Sequence, residues 1–380
     1  MNIITGGIAK PKGFKANGIH CGIKSSGKLD LGLITSDSLT VSSSVFTKNS
    51  VKAAPLMISQ KHARNNKIQA VIVNSGNANC FTGSFGLIYA ERTASLIGKL
   101  LKIPKEDVIV ASTGIIGKPL PFKKIQKSVS VLVKGLSIAG SKRMAEAILT
   151  TDTKHKEIAV TITLGGKKVT IAGCAKGSGM IAPNMATMLG FITTDAAISP
   201  KMLKAAFKSA VDQSFNCITV DGCMSTNDMV TVMANGFAQN KTISKPGRDF
   251  NLFTKALHFA CLDLAKKIVL DGEGATKFIK VNCLGAQNEK QAHAAALQIA
   301  NSNLVKTAAC GDNPNWGRVA AAVGSLGISK VTETNLRIKF SPFDKKEIHI
   351  TVDLNIGPAK ATVYTSDLSL EYVRINKRYN

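Results

Sequence analysis

Apolar positions along this chain switch repeatedly between two rhythms. Residues 69–74 (QAVIVN) form a short apolar run of the kind that fills a fully buried strand. Residues 87–101 repeat apolar side chains at helical spacing, and 107–111 (DVIVA) return to a strand pattern before the turn-like STGIIGKP. Helical spacing recurs at 122–135 and 141–149, and residues 157–172 alternate with period two around Gly165-Gly166. Met188 to Thr193, apolar and partly β-branched, predicts another buried strand. Helices are predicted over 200–213 and 248–270; in the second, Phe253, Ala256, Leu257, Ala260 and Leu264 recur on one face. The stretch around Cys217 and Cys223 reads as strand-like. A strand at 276–284, a helix at 288–301 and several strands over 335–375, with turns at Pro342-Phe343 and Gly357-Pro358, complete the pattern. The alternation predicts an α/β or α+β fold rather than a helix bundle or a pure sandwich.

Composition narrows this further. The 380 residues are 44% apolar, enough for a sizeable core, and no break in composition marks a linker. No stretch approaches the ~18 uninterrupted apolar residues that a membrane helix needs, and the start lacks a secretory signal, so a soluble cytoplasmic protein is expected. The eight cysteines form no C-x-x-C pair and no zinc-ligand spacing, so they are expected to be reduced thiols within the core and no metal site is expected. The net charge of +25 raises the question of nucleic acid. The lysines are scattered, only 5% of residues are aromatic, and no base-stacking motif is present, so a compositional bias is the better reading. A positive field would still attract anionic amino-acid substrates. No G-x-G-x-x-G follows a strand and no Walker-type loop occurs, so a nucleotide site is unsupported.

The densest chemistry lies in KGSGMIAPNMATMLGFITTDA, residues 176–196. Glycines and a proline precede Ala186-Thr187, and the predicted strand follows at once. A threonine at such a junction can attack the carbonyl of the residue before it. Cleavage there would make Thr187 a new N-terminus, with its hydroxyl beside an α-amine of pKa roughly 7.7–8.0. Nucleophile and base would then reside in one residue.

The segment resembles the processing site of the ornithine acetyltransferase family (glutamate N-acetyltransferases), with APNMATML, then GFI, then TTDA. GGIAKPKGFKANGIHCGIK, VFTKNSVKAAP, VNSGNAN, STGIIG, TTDT, KGSGM, ITVDG, STND, DGEGATK, ANSNLVKTA and PNWGR occur in that family's order, so the resemblance spans nearly the whole chain. It implies stacked β-sheets flanked by helices, akin to self-processing N-terminal-nucleophile hydrolases. It also implies two chains, residues 1–186 and 187–380, that stay together and pair into a heterotetramer. The implied reaction moves acetyl from N-acetylornithine to glutamate through an acetyl-Thr187 intermediate, in arginine biosynthesis and without a bound cofactor. Some members of that family also take acetyl from acetyl-CoA, and no motif here decides that point.

By the same resemblance, Thr113 and Gly114 form the oxyanion hole, and Thr150, Lys176, Glu273 and Asn376 bind substrate with Thr187. Lys176 offers a point charge for a carboxylate, and Glu273 a carboxylate for the ornithine ammonium. The six histidines match no catalytic position, and the lone Trp316 is read as packing. The chain departs from the family at its end, where Tyr379-Asn380 puts Asn380 at the first of two Ser/Thr positions and the last hydroxyl is missing, so a weaker hold on substrate is expected. Cys217 replaces a common arginine, Cys223 an aspartate, and Asn313 an aspartate. Two other readings compete. One is an amidohydrolase or aminopeptidase of related fold, in which water accepts the acyl group; the other is a basic nucleic-acid-binding protein built on a decayed enzyme.

Overall fold

The computed structural model describes residues 1–182 and 188–378. They divide into two compact units. The first comprises Met1–Gly177, the described residues from 188 to 216, and Met224–Ala265. The second comprises residues 178–182, Cys217–Cys223 and the described residues from 266 onward.

The first unit is built on nine strands: β1 (Asn2–Ile3), β2 (Phe14–Ile19), β3 (Leu31–Phe46), β4 (Lys67–Asn77), β5 (Val108–Ile115), β6 (Lys156–Leu164), β7 (Lys167–Lys176), β8 (Leu189–Thr194) and β9 (Met229–Ala234). They form one sheet in the order β1-β6-β7-β8-β9-β3-β4-β5, with β2 paired to β3. Helices α1 (Ala54–His62), α2 (Gly83–Leu101), α3 (Phe122–Lys134), α4 (Ser141–Ala147), α5 (Pro200–Asp212) and α6 (Arg248–Leu270) accompany it. The pairs β4–β5 and β8–β9 are parallel and the other pairs antiparallel.

Strands from the β5 end and from the middle of this sheet share a core. Val71 and Val73 of β4 and Ile109 and Ala111 of β5 belong to one cluster with Cys174 of β7, Phe191 of β8 and Met229 of β9. The alternate residues of the same strands, Ala70, Ile72, Val108 and Val110, pack instead with Ile97 of α2 and Val129 and Leu132 of α3. Each strand is therefore buried on both faces, which is why QAVIVN is apolar without alternation. The expected mixed α/β class, with stacked sheet layers flanked by helices, is what the chain adopts.

The second unit holds β10 (Phe278–Ala286), β11 (Arg337–Phe340), β12 (Glu347–Asp353) and β13 (Ala359–Ser366) in the order β11-β12-β10-β13. Helices α7 (Glu289–Ala300), α8 (Asn303–Cys310), α9 (Trp316–Gly324) and α10 (Leu370–Arg378) follow the chain. Ala292, Ala295, Ala296 and Ile299 of α7 pack on Val281 and Cys283 of β10 and Val352 of β12.

Three expectations need correction. The last predicted strand is helix α10, because Tyr372, Val373 and Ile375 mimic a strand composition. Cys217 ends a short 3₁₀ turn, and the stretch to Cys223 forms no strand beyond a single bridge from Ile218 to Tyr364 of β13, β9 beginning only at Met229. Trp316, read as packing, is 69% exposed at the start of α9. Five of the eight thiols are buried, and Cys223 is exposed. No helix among the described residues is long and apolar enough to cross a membrane.

Candidate active site

In the first unit the site residues gather at the ends of β5 and β7. Thr113 and Gly114 occupy the end of β5, where the pairing with β4 becomes irregular at Gly76 and Asn77. Gly114 has φ +133°, and a Cβ there would stand 2.4 Å from the Gly76 carbonyl carbon and 2.5 Å from the Asn77 nitrogen. Only glycine permits that approach. Asn77 folds back on the turn, its side chain donating to the Lys118 and Pro119 carbonyls and accepting from the Asn79 N–H.

Lys176 ends β7, is buried, and directs its ammonium to the Thr113 hydroxyl at 3.4 Å. The next residue, Gly177, donates its N–H to Asp152 Oδ1 at 2.7 Å. Asp152 Oδ2 accepts the Thr150 N–H at 3.0 Å, and Lys156 binds Oδ1 at 2.7 Å. Burial alone would push the Asp152 carboxyl up. The Lys156 and Lys176 charges, with the bonds from Lys156 and Thr150, outweigh it and hold Asp152 well below the usual carboxylate range. Asp152 therefore ties Thr150 to the end of β7. Lys24 donates to the carbonyls of Leu29 at 2.8 Å and Leu149 at 2.7 Å. Burial pushes this amine down to about 8, against the pull of Asp30 and Asp152.

The segment before β9 is fastened to the same strand end. Asn227 donates to the Ala78 carbonyl at 2.7 Å and the Ser112 carbonyl at 2.8 Å, and accepts from Thr226. Its neighbour Asp228 is 3% exposed, and Oδ2 has no hydrogen-bond partner among the described residues. Burial pushes that carboxyl well above its usual value, opposed by Ser225 and Lys176.

The second unit brings together Glu273 and Asn376. The Asn376 amide donates to Glu273 Oε2 at 2.8 Å from α10, and the Glu273 N–H donates to the Ser178 carbonyl at 3.0 Å. Gly179 faces the carboxyl so closely that a Cβ would stand 2.4 Å from it, and Gly274, at φ +68°, would meet the Tyr372 nitrogen at 2.4 Å. Small residues on both sides let segment 178–181 and α10 close on Glu273.

The structure thus brings Thr113, Gly114, Thr150 and Lys176 together in one unit, and Glu273 and Asn376 in the other. Ala186 and Thr187 lie outside the described residues, as does Asn380. Sequence reasoning passed over Asp152, Lys156, Lys24, Asn227 and Asp228. Asp152 and the Asn227-Asp228 pair stand inside TTDT and STND, motifs recognised whole without a role for each residue.

A family model described as the ArgJ family matches residues 15–343. The arginine biosynthesis bifunctional protein ArgJ of Caldanaerobacter subterraneus subsp. tengcongensis is 46% identical over 402 aligned positions, covering 100% of both chains. Its counterpart in Geobacter sulfurreducens is 46% identical over 389 positions, covering 97% of this chain and 99% of the other. Among solved structures, an arginine biosynthesis bifunctional protein argJ from Bacillus halodurans is 42% identical, covers 49% of this chain and 98% of its own, and has a TM-score of 0.47. With a family model over most of its length and full-length relatives at this identity, the chain belongs to the ArgJ family.

Proposed function

We propose that this chain cuts itself between Ala186 and Thr187 and then transfers acetyl from N-acetylornithine to glutamate by a ping-pong route. Its place in the ArgJ family, whose relatives are named arginine biosynthesis bifunctional proteins, supports an acetyltransferase of arginine biosynthesis. The observation that carries the finer reading is the gathering of Thr113, Gly114, Thr150 and Lys176 at the ends of β5 and β7.

The α-amine of Thr187 takes the Oγ proton as the oxygen attacks the acetyl carbonyl. A tetrahedral oxyanion forms and is held by Thr113 and Gly114. It collapses as the departing ornithine amine takes the proton, leaving acetyl on Thr187 Oγ. The glutamate amine then attacks the ester, and Oγ recovers its proton as N-acetylglutamate leaves. Lys176 supplies positive charge for a substrate carboxylate, and Glu273 with Asn376 binds the ammonium and polar groups of the donor. No step needs a bound cofactor. Acetyl-CoA is a candidate second donor for glutamate, and the two chains are expected to assemble as a heterotetramer.

The test is the intact mass of the purified protein under denaturing conditions. Two chains meeting at Ala186/Thr187 are expected, with Thr187→Ala remaining whole. A wild-type protein that stays one chain would refute the self-cleavage. Glutamate-dependent release of ornithine from N-acetylornithine separates transfer from hydrolysis, since a hydrolase would release it equally without glutamate.

A further inference from the structure

Asp221 lies in ITVDG, between the last turn after α5 and β9, and none of the roles above uses it. Its carboxylate is a hub. Oδ2 accepts the Met180 N–H at 2.6 Å and the Tyr372 hydroxyl at 3.3 Å. Oδ1 accepts the Ile181 N–H at 2.9 Å and the Cys223 N–H at 3.1 Å. An ionised carboxylate offers about four acceptor positions, and four donors fill them. Asp221 has no capacity left for a substrate ammonium.

Glu273 presents the opposite case. Among the described residues its carboxylate receives one side-chain donor, Asn376, and it is the acid that the family resemblance assigns to substrate. What surrounds it are the same two pieces that Asp221 holds. The segment 178–181 supplies the Ser178 carbonyl to the Glu273 N–H and sets Gly179 against its carboxyl. Helix α10 supplies Asn376, and one turn earlier Tyr372, whose hydroxyl goes to Asp221. Residues four apart share a helix face, so the two bonds act on one side of α10.

Segment 178–181 resists its own placement, since Met180 is held at φ +56°, a left-handed conformation costly for a residue with a Cβ. The two N–H bonds to Asp221 flank that point and hold it. Thr219 and Val220 add bonds to the Ile181 carbonyl at 2.9 and 2.8 Å. Burial, Asp221, Cys223 and Glu273 all push the Tyr372 phenol up, so its hydroxyl keeps the proton that it donates.

We infer that Asp221 is a positioning residue that fastens segment 178–181 and helix α10 around Glu273 and thereby sets the affinity of the subsite for the ammonium end of the donor. This rests on the acetyl-transfer reading above. After cleavage the same bonds would run between chains, from the second chain's Asp221 to Met180 and Ile181 near the end of the first. One acid would then give the amine subsite walls from both chains.

The test compares wild type, Asp221→Asn and Tyr372→Phe in steady-state transfer from N-acetylornithine to glutamate, with intact mass recorded for each. Loosening Glu273 removes binding common to substrate and transition state, which raises KM and spares kcat. Asp221→Asn is expected to raise KM for N-acetylornithine about tenfold, with kcat within about threefold. Tyr372→Phe removes one bond of the four and is expected to raise KM about threefold while folding and processing as wild type. Equal loss of kcat in Asp221→Asn, or unchanged KM in both variants, would overturn the inference. Should Asp221→Asn fail to fold, Tyr372→Phe decides alone, an unchanged KM sinking the role. A wild-type protein with no glutamate-dependent transfer refutes the reading beneath, a result that neither variant can mimic.

Discussion

At the scale of a single residue, Gly114 is the tightest point of the site. Its φ of +133° and the 2.4 Å that would separate a Cβ from the Gly76 carbonyl carbon leave room for hydrogen alone. Gly114→Ala must therefore push β4 and β5 apart at the proposed oxyanion hole. Transfer is expected to fall about 100-fold or more, the usual scale for a lost oxyanion donor, in an assay of ornithine release. Near-wild-type turnover would remove Gly114 from the hole. This residue was legible in STGIIG because a family motif surrounds it. Asp152 and Asp221 were not, because what each ties down includes backbone N–H groups distant in sequence, at Gly177 and at Met180 and Ile181. A carboxylate that works on backbone leaves no spacing pattern behind.

Among elements, the join between the segment before β9 and the end of β5 rests largely on Asn227, which satisfies the carbonyls of Ala78 and Ser112. Asn227→Ala strands both acceptors in a buried setting and is expected to cost about 2 kcal/mol or more in urea unfolding. Transfer should weaken too, since Ser112 directly precedes Thr113. A loss under 0.5 kcal/mol, on the order of an ordinary surface change, would contradict this role. Elements with an unmixed apolar rhythm, such as β4 and α6, were legible in sequence. Strand β3 was not: its run TSDSLTVSSS is polar, yet β9 pairs along Val41 to Phe46 and the register to β4 shifts between Thr35 and Thr40. Pairing on both sides, not hydrophobicity, makes that stretch a strand. Helix α10 misled in the other direction, since β-branched and aromatic residues occupy a helix that is tied down by Tyr372 and Asn376.

For the molecule as a whole, buried ammonium groups and buried thiols act on the response to pH in opposite senses. Burial pushes Lys306 from 10.5 down to about 8, although Asp367 and Asp221 pull upward. Its side chain is 2% exposed and donates to the Thr365 hydroxyl and the Ser366 carbonyl. A folded value below the unfolded one means that the unfolded chain binds more protons between the two, so stability rises with pH across that window. Lys24, pushed down to about 8, acts in the same sense. Burial pushes the thiols of Cys21 and Cys261 up to about 12 and that of Cys283 up to about 11, which acts in the opposite sense at the alkaline end. Lys306→Met is therefore expected to lower the slope of the urea midpoint against pH, relative to wild type, between pH 8 and 10. A slope in Lys306→Met equal to that of wild type would contradict the burial of this charge. At the acid end Asp152, held low, stabilises the fold above the usual carboxylate range and loses that contribution as pH falls through its own depressed value.

Strand β8 begins at Leu189, two residues past the proposed nucleophile, and the sheet that it enters joins distant parts of the chain. It lies between β7 and β9, and β9 in turn pairs with β3 through contacts such as Val41 with Ala234. Contacts so far apart in sequence close late, because the loop entropy must be met before they form. A backbone cut that depends on this sheet would act as a recording of folding: each severed molecule has once completed its longest-range contacts, and the record outlasts any later unfolding. In a pulse of newly made protein, the cut fraction should therefore trail the appearance of protease-resistant chain and never lead it.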